Sequence, residues 1–454
     1  MPRISKVLIA NRGEIAVRVI RAAKDSGITS VAVYADQDRD ARHVKLADEA
    51  YALDGTTSAE TYLVIDKILS IARRSGADAI HPGYGFLAEN PAFARACADN
   101  DLVFVGPSPE VMERLGDKAS AKAEMRAADV PLVPGTAGSA PLEEIREAAE
   151  AIGFPVLLKA TAGGGGKGMR LVDYPDGLHE AFSAAAAEAE ASFGDGSLYL
   201  EKVIAPARHV EIQVLCDRLG NVLTLGEREC SIQRRHQKLV EESPSPALSP
   251  ETREEMETAV ERACRTLGYE GAGTFEFLLG LEGEPYFIEV NCRLQVEHPV
   301  TEMLTGVDIV REQVRIAAGE PLAVTGRAPR RGHAIEIRIN AEDPARGFVP
   351  SPGVVERFRP PLGPGVRVDT AVEDGTTVPP YYDSLIAKLI VSDDDRPAAI
   401  ERALRALREL EVTGIPTTRE LALDVLGSDG FRSGAYSTGY LEEMEAHLPS
   451  LRPA

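Results

Sequence analysis

Hydrophobic residues follow two different periods along this chain, and the change between them divides it. Up to about residue 115, short apolar runs such as residues 7–10 and 31–34 alternate with segments of helical periodicity. In the first of these segments Ile15, Val19 and Ile20 fall on one face of a helix that we expect to end before residue 28. Strands that alternate with helices predict a doubly wound parallel sheet. No G-x-G-x-x-G follows the first strand, so support for a dinucleotide site is weak.

From residue 197 to residue 291 the period becomes two, which predicts long antiparallel strands with one buried face. The Pro- and Gly-rich segment 131–141 is typical of a linker, and it opens a small unit over about 131–203. A third region, about 332–446, begins with a predicted strand at 334–339. The length of 454 residues also indicates several domains.

Four consecutive glycines occupy residues 163–166, between predicted strands at 155–160 and 170–172. Glycines offer no side chain to bury and cost extra backbone entropy to order. A run of them suits backbone N–H groups that approach a polyanion closely. The segment favours a mobile flap over nucleotide phosphates, with a flexible surface hairpin as the alternative. It lacks the residue order and the following helix of a P-loop.

Period-two alternation places several polar residues on one face of the predicted strands. Glu276 points opposite to two phenylalanines, and Glu289 and Asn291 share a face of another strand. Side by side, the two strands would bring these side chains together as oxygen ligands that suit Mg²⁺. Three polar residues on a solvated sheet face are the alternative.

Two further polar clusters carry candidate chemistry. Arg293, Gln295 and Glu297 continue the alternation beyond the metal strand, which suits an anionic second substrate and a base, or else a surface ion pair. Residues 230–238 contain several cations and amides in what we expect to be a short loop. In so acidic a chain, this cluster favours anion binding over a solvated basic face.

Charge and composition exclude several classes of protein. The formal net charge of −21 argues against broad attraction to nucleic acid or to an anionic membrane. No apolar stretch approaches the roughly 20 residues of a membrane span, and the first residues lack a signal-peptide pattern. The five cysteines are scattered without a C-x-x-C pair, which indicates neither a disulfide framework nor a zinc site. We expect a cytoplasmic protein with free thiols.

Motifs along most of the chain resemble the biotin carboxylase family of the ATP-grasp superfamily. The matching segments are 9–16, 81–87, 116–118, the glycine run, 208–211, 233–238, 273–277, 295–299, 338–342 and 379–384. The resemblance implies a multidomain α/β and α+β fold. It places a Rossmann-like domain at 1–115, an ATP-grasp domain with a mobile lid (131–203) at 116–330, and a C-terminal biotin carboxylase domain at 331–446.

The resemblance also implies roles for individual residues. It assigns ATP to Lys118, Lys159, Gly165, Gly166, Met169, Glu201, Lys202, Ile204, His209, Gln233, His236 and Leu278. It assigns Mg²⁺ or Mn²⁺ to Glu276, Glu289 and Asn291. It assigns bicarbonate to Lys238, Arg293, Gln295 and Val296, with Glu297 as the base, and biotin to Tyr84 and Arg338. Its catalytic residues are Glu297, Arg293, Arg338 and Lys238. Cys292 departs from the family's threonine or proline, and alternation points it away from the metal face, which indicates a packing change.

The implied activity is that of an ATP-dependent ligase. Glu297 deprotonates bicarbonate, which attacks the γ-phosphate of Mg-ATP to give carboxyphosphate, and Arg338 stabilises the biotin enolate that captures the released CO₂. This is the first half-reaction of acetyl-CoA carboxylase, in fatty acid biosynthesis, or of another carboxylase. The final acceptor, an acyl-CoA or a keto acid, stays open.

The resemblance implies partners as well. Biotin arrives on a biotin carboxyl carrier protein, a separate chain because no Met-Lys-Met motif occurs here, and the carboxyltransferase is a further chain. The family also suggests a homodimer. Two rival functions stay open: an ATP-grasp ligase with an amine acceptor, which would not need Arg338, and a catalytically silent nucleotide-binding subunit, which would have lost a metal ligand or the base.

Overall fold

The N-terminal part of the protein is a parallel sheet with helices on both sides. The structure, a computed structural model, describes residues 4–161 and 168–451. The strands are β1 Lys6–Ile9, β2 Thr29–Tyr34, β3 Glu49–Ala52, β4 Ala79–His81 and β5 Val103–Phe104, and the helices are α1 Gly13–Asp25, α2 Arg42–Leu46, α3 Ile65–Ser75, α4 Pro91–Ala98 and α5 Pro109–Gly116. The strand order is β3-β2-β1-β4-β5. Val7 packs with α1, whereas Leu8 packs on the other side with α3 and α4, so the predicted doubly wound sheet is confirmed.

Helix α1 forms as its periodicity predicts. Gly13 adopts a φ of +66°, a left-handed conformation that side chains disfavour, and so turns the chain from β1 into the helix. Ile15, Val19 and Ile20 are buried against the sheet. Glu14 lies in the first turn and is buried as well, which the helical pattern alone does not explain.

A small second sheet follows. Its elements, after α6 Lys118–Ala127, are α7 Leu142–Ile152, β6 Val156–Ala160, β7 Met169–Val172, α8 Leu178–Phe193 and β8 Leu198–Lys202. The strands pair antiparallel in the order β7-β6-β8, and Ile145, Leu158 and Leu200 belong to a core of this unit alone. The two strands that flank the glycine run therefore pair as predicted. Gly165 and Gly166 themselves lie outside the described residues.

The prediction of a linker at 131–141 is wrong, because this segment is bonded to neighbouring strands. Leu132 bridges Phe287, and Gly135 bridges Glu201, so the segment is joined to strands on both sides. A Cβ at Gly135 would lie 2.1 Å from the Leu200 carbonyl oxygen, so only glycine allows this approach. Gly135 thus serves close backbone packing.

The largest sheet runs through the rest of the chain. Its first elements are β9 Arg208–Cys216, β10 Val222–Arg234, β11 Gln237–Ser243, α9 Pro250–Leu267, β12 Gly271–Leu279, β13 Pro285–Asn291, α10 His298–Thr305, α11 Ile309–Ala317 and β14 Gly326–Arg327. The later elements are β15 His333–Asn340, β16 Glu342–Asp343, β17 Val349–Pro350, β18 Gly353–Val354, β19 Arg357–Arg359, β20 Val366–Thr370, β21 Thr377–Val378, β22 Leu385–Asp393, α12 Arg396–Glu409, β23 Glu411–Thr413, α13 Arg419–Gly427, α14 Asp429–Ser433 and α15 Tyr440–Glu443. The strand order of the largest sheet is β13-β12-β9-β10-β11-β15-β22-β20, with β14 beside β10, whereas β16 and β17, β18 and β21, and β19 and β23 form separate two-stranded pairs.

Two features of this sheet differ from the prediction. The expected single buried face is wrong for β9, whose residues from His209 to Cys216 are buried on both faces. The polar face is covered because α10 packs across β10, β11, β15 and β22, and because the polar side chains bind one another. No described helix has the length and apolarity needed to cross a lipid bilayer.

The expected loop at residues 230–238 is also wrong. Most of it lies in β10 and β11, which join through a tight turn at Arg235 and His236, with φ values of +48° and +67°. Strand β11 then pairs with β15, which was predicted as part of a separate third region. The hairpin therefore joins the two regions through main-chain hydrogen bonds.

Candidate active site

The two strands that carry the predicted metal ligands lie next to each other. Glu276 on β12 pairs directly with Glu289 on β13, and Thr274 pairs with Asn291. Asn291 Nδ2 donates to Glu276 Oε1 at 2.7 Å. The alternation thus identified true neighbours, and carboxylate and amide oxygens are the donors that a hard cation such as Mg²⁺ prefers.

The alternative of a solvated polar face is wrong for most of this group. Glu276 and Asn291 are only 6% and 7% exposed, and Glu289 alone is open to solvent. Burial would raise the pKa of Glu276, but Lys238 and His209 hold it well below its usual range. Burial and the Glu276 carboxylate raise the pKa of Glu289. A divalent cation between the two would relieve that repulsion, so these residues fit a metal.

Lys238 lies at the centre of the buried carboxylates. Its Nζ is 2.6 Å from Glu211 Oε2, 3.1 Å from Glu276 Oε1 and 2.6 Å from Glu297 Oε1. Burial alone would lower the pKa of Lys238, but these carboxylates raise it well above its usual value. Arg228, fully buried, adds a second cation with its Nε 2.5 Å from Glu211. The cluster therefore holds three carboxylates against two cations, and Lys238 stays charged.

Glu297 lies between two cations. Lys238 donates to its Oε1 at 2.6 Å, and Arg338 Nη2 donates to its Oε2 at 2.9 Å. Burial would raise the pKa of Glu297, yet Lys238, Arg338 and Arg228 lower it well below the usual range. The carboxylate is therefore ionised at neutral pH, with a cation bonded to each of its oxygens.

Glu297 does not lie on an extension of the metal strand, as the predicted alternation required. Strand β13 ends at Asn291, and Glu297 instead caps the N-terminus of α10. It contacts Lys238 and Arg338 rather than Arg293. Gln295 is buried nearby, with its Nε2 at 3.4 Å from Glu276 Oε1. The chain turns because Pro299 follows at the start of the helix, where it favours helix initiation.

Arg293 binds a carboxylate that the sequence analysis missed. Its Nε donates to Glu89 Oε2 at 2.8 Å, and its Nη2 donates to Asn291 Oδ1 at 2.9 Å. Glu89 Oε1 also accepts from the backbone N–H of Cys292. Glu89 lies two residues beyond the motif at 81–87, and nothing in the local pattern indicates its partner. Arg293 is thus oriented between the first sheet and the metal strand.

Cys292 itself is buried against Tyr269 in the core below the sheet. Burial raises the pKa of its thiol to about 12. These observations agree with the interpretation as a packing change.

Arg338 has the predicted orientation. On its strand, Ile335, Ile337 and Ile339 are fully buried in the C-terminal core. Arg338 points the other way, and its Nε donates to Glu241 Oε1 at 2.6 Å. Burial would lower its pKa, but Glu241 and Glu297 raise it. Glu241 is a second carboxylate that the sequence analysis missed.

The nucleotide lysines converge on one glutamate. Glu201, on β8, accepts hydrogen bonds from both Lys159 and Lys122. Lys122 was not predicted, although it lies one helical turn after Lys118 on α6, and its Nζ is 4.2 Å from the centre of the Tyr199 ring. Met169 pairs directly with Lys159 across the β6–β7 ladder. The side chain of Glu201 therefore pairs with two cations, which leaves a net positive charge on the group.

The remaining residues that the resemblance assigns to ATP lie on or beside α6, β8, β9, β10, β12 and the turn between β10 and β11. Lys202 Nζ donates to the Gly153 carbonyl at 2.8 Å, so its side chain anchors α7. Leu278 pairs with His209 across β12 and β9. The others are Lys118 and His236, which are exposed, Ile204, which is half-buried, and Gln233, which is buried. A groove of about 460 Å³ beside Leu279 is closed partly by Tyr436 and Ser437, near the end of the chain, which no motif indicated.

Comparisons with known proteins agree with this arrangement. Residues 3–112 match the biotin carboxylase N-terminal domain, residues 117–325 the carbamoyl-phosphate synthase L chain ATP binding domain, and residues 336–443 the biotin carboxylase C-terminal domain. The chain is 53% identical to biotin carboxylase from Nostoc sp., covering 97% of this chain and 99% of the relative.

Solved structures give the same picture. The biotin carboxylase subunit of pyruvate carboxylase is 51% identical, with 98% of this chain and 99% of that chain covered and a TM-score of 0.87. The biotin carboxylase domain dimer of 2-oxoglutarate carboxylase from Hydrogenobacter thermophilus, in complex with MgADP, ADP and bicarbonate, is 50% identical, with 100% of both chains covered and a TM-score of 0.92. On these matches, and with the cleft described above, the chain belongs to the biotin carboxylase family of ATP-dependent ligases.

Proposed function

We propose that this chain uses ATP and bicarbonate to carboxylate biotin on a separate carrier protein. The observation that carries the proposal is the position of Glu297 between Lys238 and Arg338, at 2.6 and 2.9 Å. One Glu297 oxygen binds Lys238, which also contacts Glu276 of the metal strands. The other oxygen binds Arg338 on β15, a strand to which we assign no nucleotide contact. Glu297 is thereby bonded to one cation that we assign to bicarbonate and to one that we assign to biotin.

In the first step Lys238 and Arg293 bind bicarbonate as an anion. The free enzyme holds Glu297 as a weak base, because Lys238 lowers its pKa. When the Lys238 ammonium turns to bicarbonate, the carboxylate loses part of that stabilisation and becomes basic enough to take the bicarbonate proton. The bicarbonate oxygen then attacks the γ-phosphate and gives carboxyphosphate and ADP.

Mg²⁺ would be bound by Glu276, Glu289 and Asn291, and when bound it neutralises charge on the transferring phosphoryl group. Lys118 and Lys159 bind phosphates, with Met169 and the residues around Leu278 closing the nucleotide end. Lys159 is bonded to Glu201 in the structure. Nucleotide binding therefore replaces one anionic partner of Lys159 with another.

In the second step carboxyphosphate gives CO₂ and phosphate, and the phosphate takes the ureido proton of biotin. The guanidinium of Arg338 stabilises the enolate, and as an arginine it keeps its charge at any working pH. We assign Tyr84 to biotin as well, and Val296, which precedes Glu297, to bicarbonate. The ureido nitrogen of the enolate then captures CO₂ to give carboxybiotin.

The rival with an amine acceptor is less well supported. An amine ligase would need the ATP-binding lysines and the metal strands. It would not explain why Arg338, which lies outside the nucleotide end, is bonded to Glu297. The experiment measures bicarbonate-dependent ATP cleavage with and without free biotin, and follows labelled bicarbonate into carboxybiotin. Stimulation by biotin with label transfer supports the proposal, whereas stimulation by an amine alone would favour the rival. A chain that cleaves no ATP would support the silent subunit.

We propose further that the chain works as a homodimer in the cytoplasm, with a biotin carboxyl carrier protein and a carboxyltransferase. The relative from Hydrogenobacter thermophilus is a dimer, which supports the first point. Similar chains at about half identity belong to pyruvate and 2-oxoglutarate carboxylases, so a cleft of this kind does not by itself fix the final acceptor. Acetyl-CoA carboxylase remains the assembly we favour. Sedimentation equilibrium of the purified chain, alone and with a biotinylated carrier, tests both contacts.

A further inference from the structure

Four distant segments of the chain meet behind the biotin end of the cleft. Glu14 lies in the first turn of α1, Tyr84 follows β4, Val296 precedes α10, and Lys388 lies on β22. Lys388 Nζ is 3.1 Å from Glu14 Oε1 and donates to the Val296 carbonyl at 2.9 Å. The hydroxyl of Tyr84 donates to the same Glu14 oxygen. One buried ion pair therefore contacts two residues that we assign to the substrate cleft.

The ion pair is fully removed from solvent. The side chains of Lys388 and Glu14 are 0% and 4% exposed. Burial would lower the pKa of Lys388, but Glu14, Glu336 and Asp369 raise it, so the ammonium persists. Burial and Glu14 raise the pKa of Tyr84 well above its usual value, which keeps its hydroxyl a donor. The bonds therefore have a defined direction from donor to acceptor.

Tyr84 is held at both ends. Asn11 Nδ2 donates to the backbone carbonyl of Tyr84 at 2.7 Å and to that of Pro82 at 2.8 Å. Glu14, one helical turn later in the same motif, binds the phenol. On the other side, Lys388 is the direct cross-strand partner of Arg338. The pairing of β15 with β22 thus places Lys388 beside Arg338, the residue that we assign to the enolate.

We propose that Glu14 and Lys388 are positioning residues for the biotin step, because they bind the Tyr84 hydroxyl and the carbonyl of Val296, the residue before Glu297. The inference rests on the proposed function, since it names residues that prepare that site. A buried pair of opposite charges costs desolvation and is seldom the most stable filling of a core. Here it supplies two directed hydrogen bonds to the cleft that apolar side chains cannot make.

The test compares four variants with the wild-type chain: Glu14→Gln, Lys388→Met, the double variant, and Tyr84→Phe. Lys45→Met, at an exposed lysine, is the matched control. The readouts are the KM for biotin, the KM for ATP, and the carboxybiotin formed per ATP cleaved. We expect the KM for biotin to rise about ten- to hundred-fold, as small displacements of substrate-positioning groups do, with little change in the KM for ATP.

The double variant addresses folding, because removing both charges of a buried pair leaves no unpaired ion. If Lys388→Met alone fails to fold, the double variant decides, and Tyr84→Phe decides if neither folds. A folded double variant and a Tyr84→Phe variant that both keep the wild-type biotin KM and coupling would overturn the inference. So would an equal rise in both KM values, which marks a merely structural role. A wild-type chain that makes no carboxybiotin would overturn the proposed function and this inference with it, whereas unchanged variants overturn the inference alone.

Discussion

Replacement of Arg338 by alanine should separate the two half-reactions. The side chain joins Glu241 and Glu297 through hydrogen bonds of 2.6 and 2.9 Å, and it contacts none of the predicted metal ligands. Carboxylation of biotin should therefore be lost to a greater extent than bicarbonate-dependent ATP cleavage. Arg338→Lys should recover only part of the loss, because the compact ammonium of lysine lacks the planar, delocalised fork of donors of the guanidinium.

The size of the effect follows from the bonds. A hydrogen bond to a charged group contributes about 1.5–3 kcal/mol, and every 1.36 kcal/mol is a tenfold change in rate. Loss of one such bond to the enolate should slow carboxylation about 10- to 150-fold. In the variant Glu297 keeps its 2.6 Å bond to Lys238. The base stays ionised, so we expect ATP cleavage to fall by no more than about threefold.

The assay measures phosphate release without biotin and label transfer from bicarbonate to free biotin, on the same preparation. Arg396→Ala is the matched control, because Arg396 makes a buried ion pair with Glu242 at 2.7 Å, away from the cleft. Loss of that pair should lower both activities by the same factor, through stability alone. If Arg338→Ala also lowers both activities equally, Arg338 is structural or belongs to the ATP end, and the placement of biotin is wrong.

The other predictions concern the base, the metal, the lid and a buried carboxyl. Glu297→Gln should lower turnover about 10²- to 10⁴-fold while ATP still binds, and near-normal turnover would exclude it as the base. Glu289→Ala should raise the Mg²⁺ concentration for half-maximal activity at least about tenfold, and an unchanged Mg²⁺ titration would contradict the ligand assignment. Amide exchange in β6 and β7 should slow when nucleotide is added, and equal rates with and without ATP would exclude a lid at 131–203. Burial raises the pKa of Glu241 from 4.5 to about 7, so between these values the folded chain holds a proton that the unfolded chain has released. The free energy of unfolding should fall by up to about 1.4 kcal/mol per unit as pH rises through this window, and Glu241→Gln should remove that part of the pH dependence.

Period-two alternation predicted the faces of the strands but not their partners. It placed Glu276, Glu289 and Asn291 on one face correctly, because side-chain direction depends only on local backbone geometry. The burial of Glu276 and Asn291 depends on contacts from elsewhere in the chain, such as the bond from Lys238 to Glu276, and no local pattern contains that information.

The missed residues share one property. Glu89 binds Arg293, which lies 204 residues away, and Glu241 binds Arg338, which lies 97 residues away. Each is an ordinary glutamate in its own neighbourhood. The alternation also failed beyond Asn291, because it assumed a strand where the chain turns into a helix. Resemblance to a family supplied the role of Glu297, and only the fold supplied its two cationic neighbours.

The continuous pairing of strands from β13 to β20 fixes the distance between the ATP end and the biotin end of the proposed site. Strands β10 and β11 lie between β9 and β15, so β9 and β15 are about 14 Å apart at the usual spacing between neighbouring strands. Lys238 and Arg338 extend toward each other from within that span and meet at Glu297. Main-chain hydrogen bonds hold these strands at a fixed spacing. On the proposed assignment, the cleavage of ATP and the capture of CO₂ therefore take place above one rigid sheet. A short-lived acyl phosphate formed there needs neither a tunnel nor a swinging arm to reach its acceptor. Among the described residues the small sheet β7-β6-β8 is separate from the largest sheet, and an isolated bridge from Leu132 to Phe287 joins its neighbouring segment to β13.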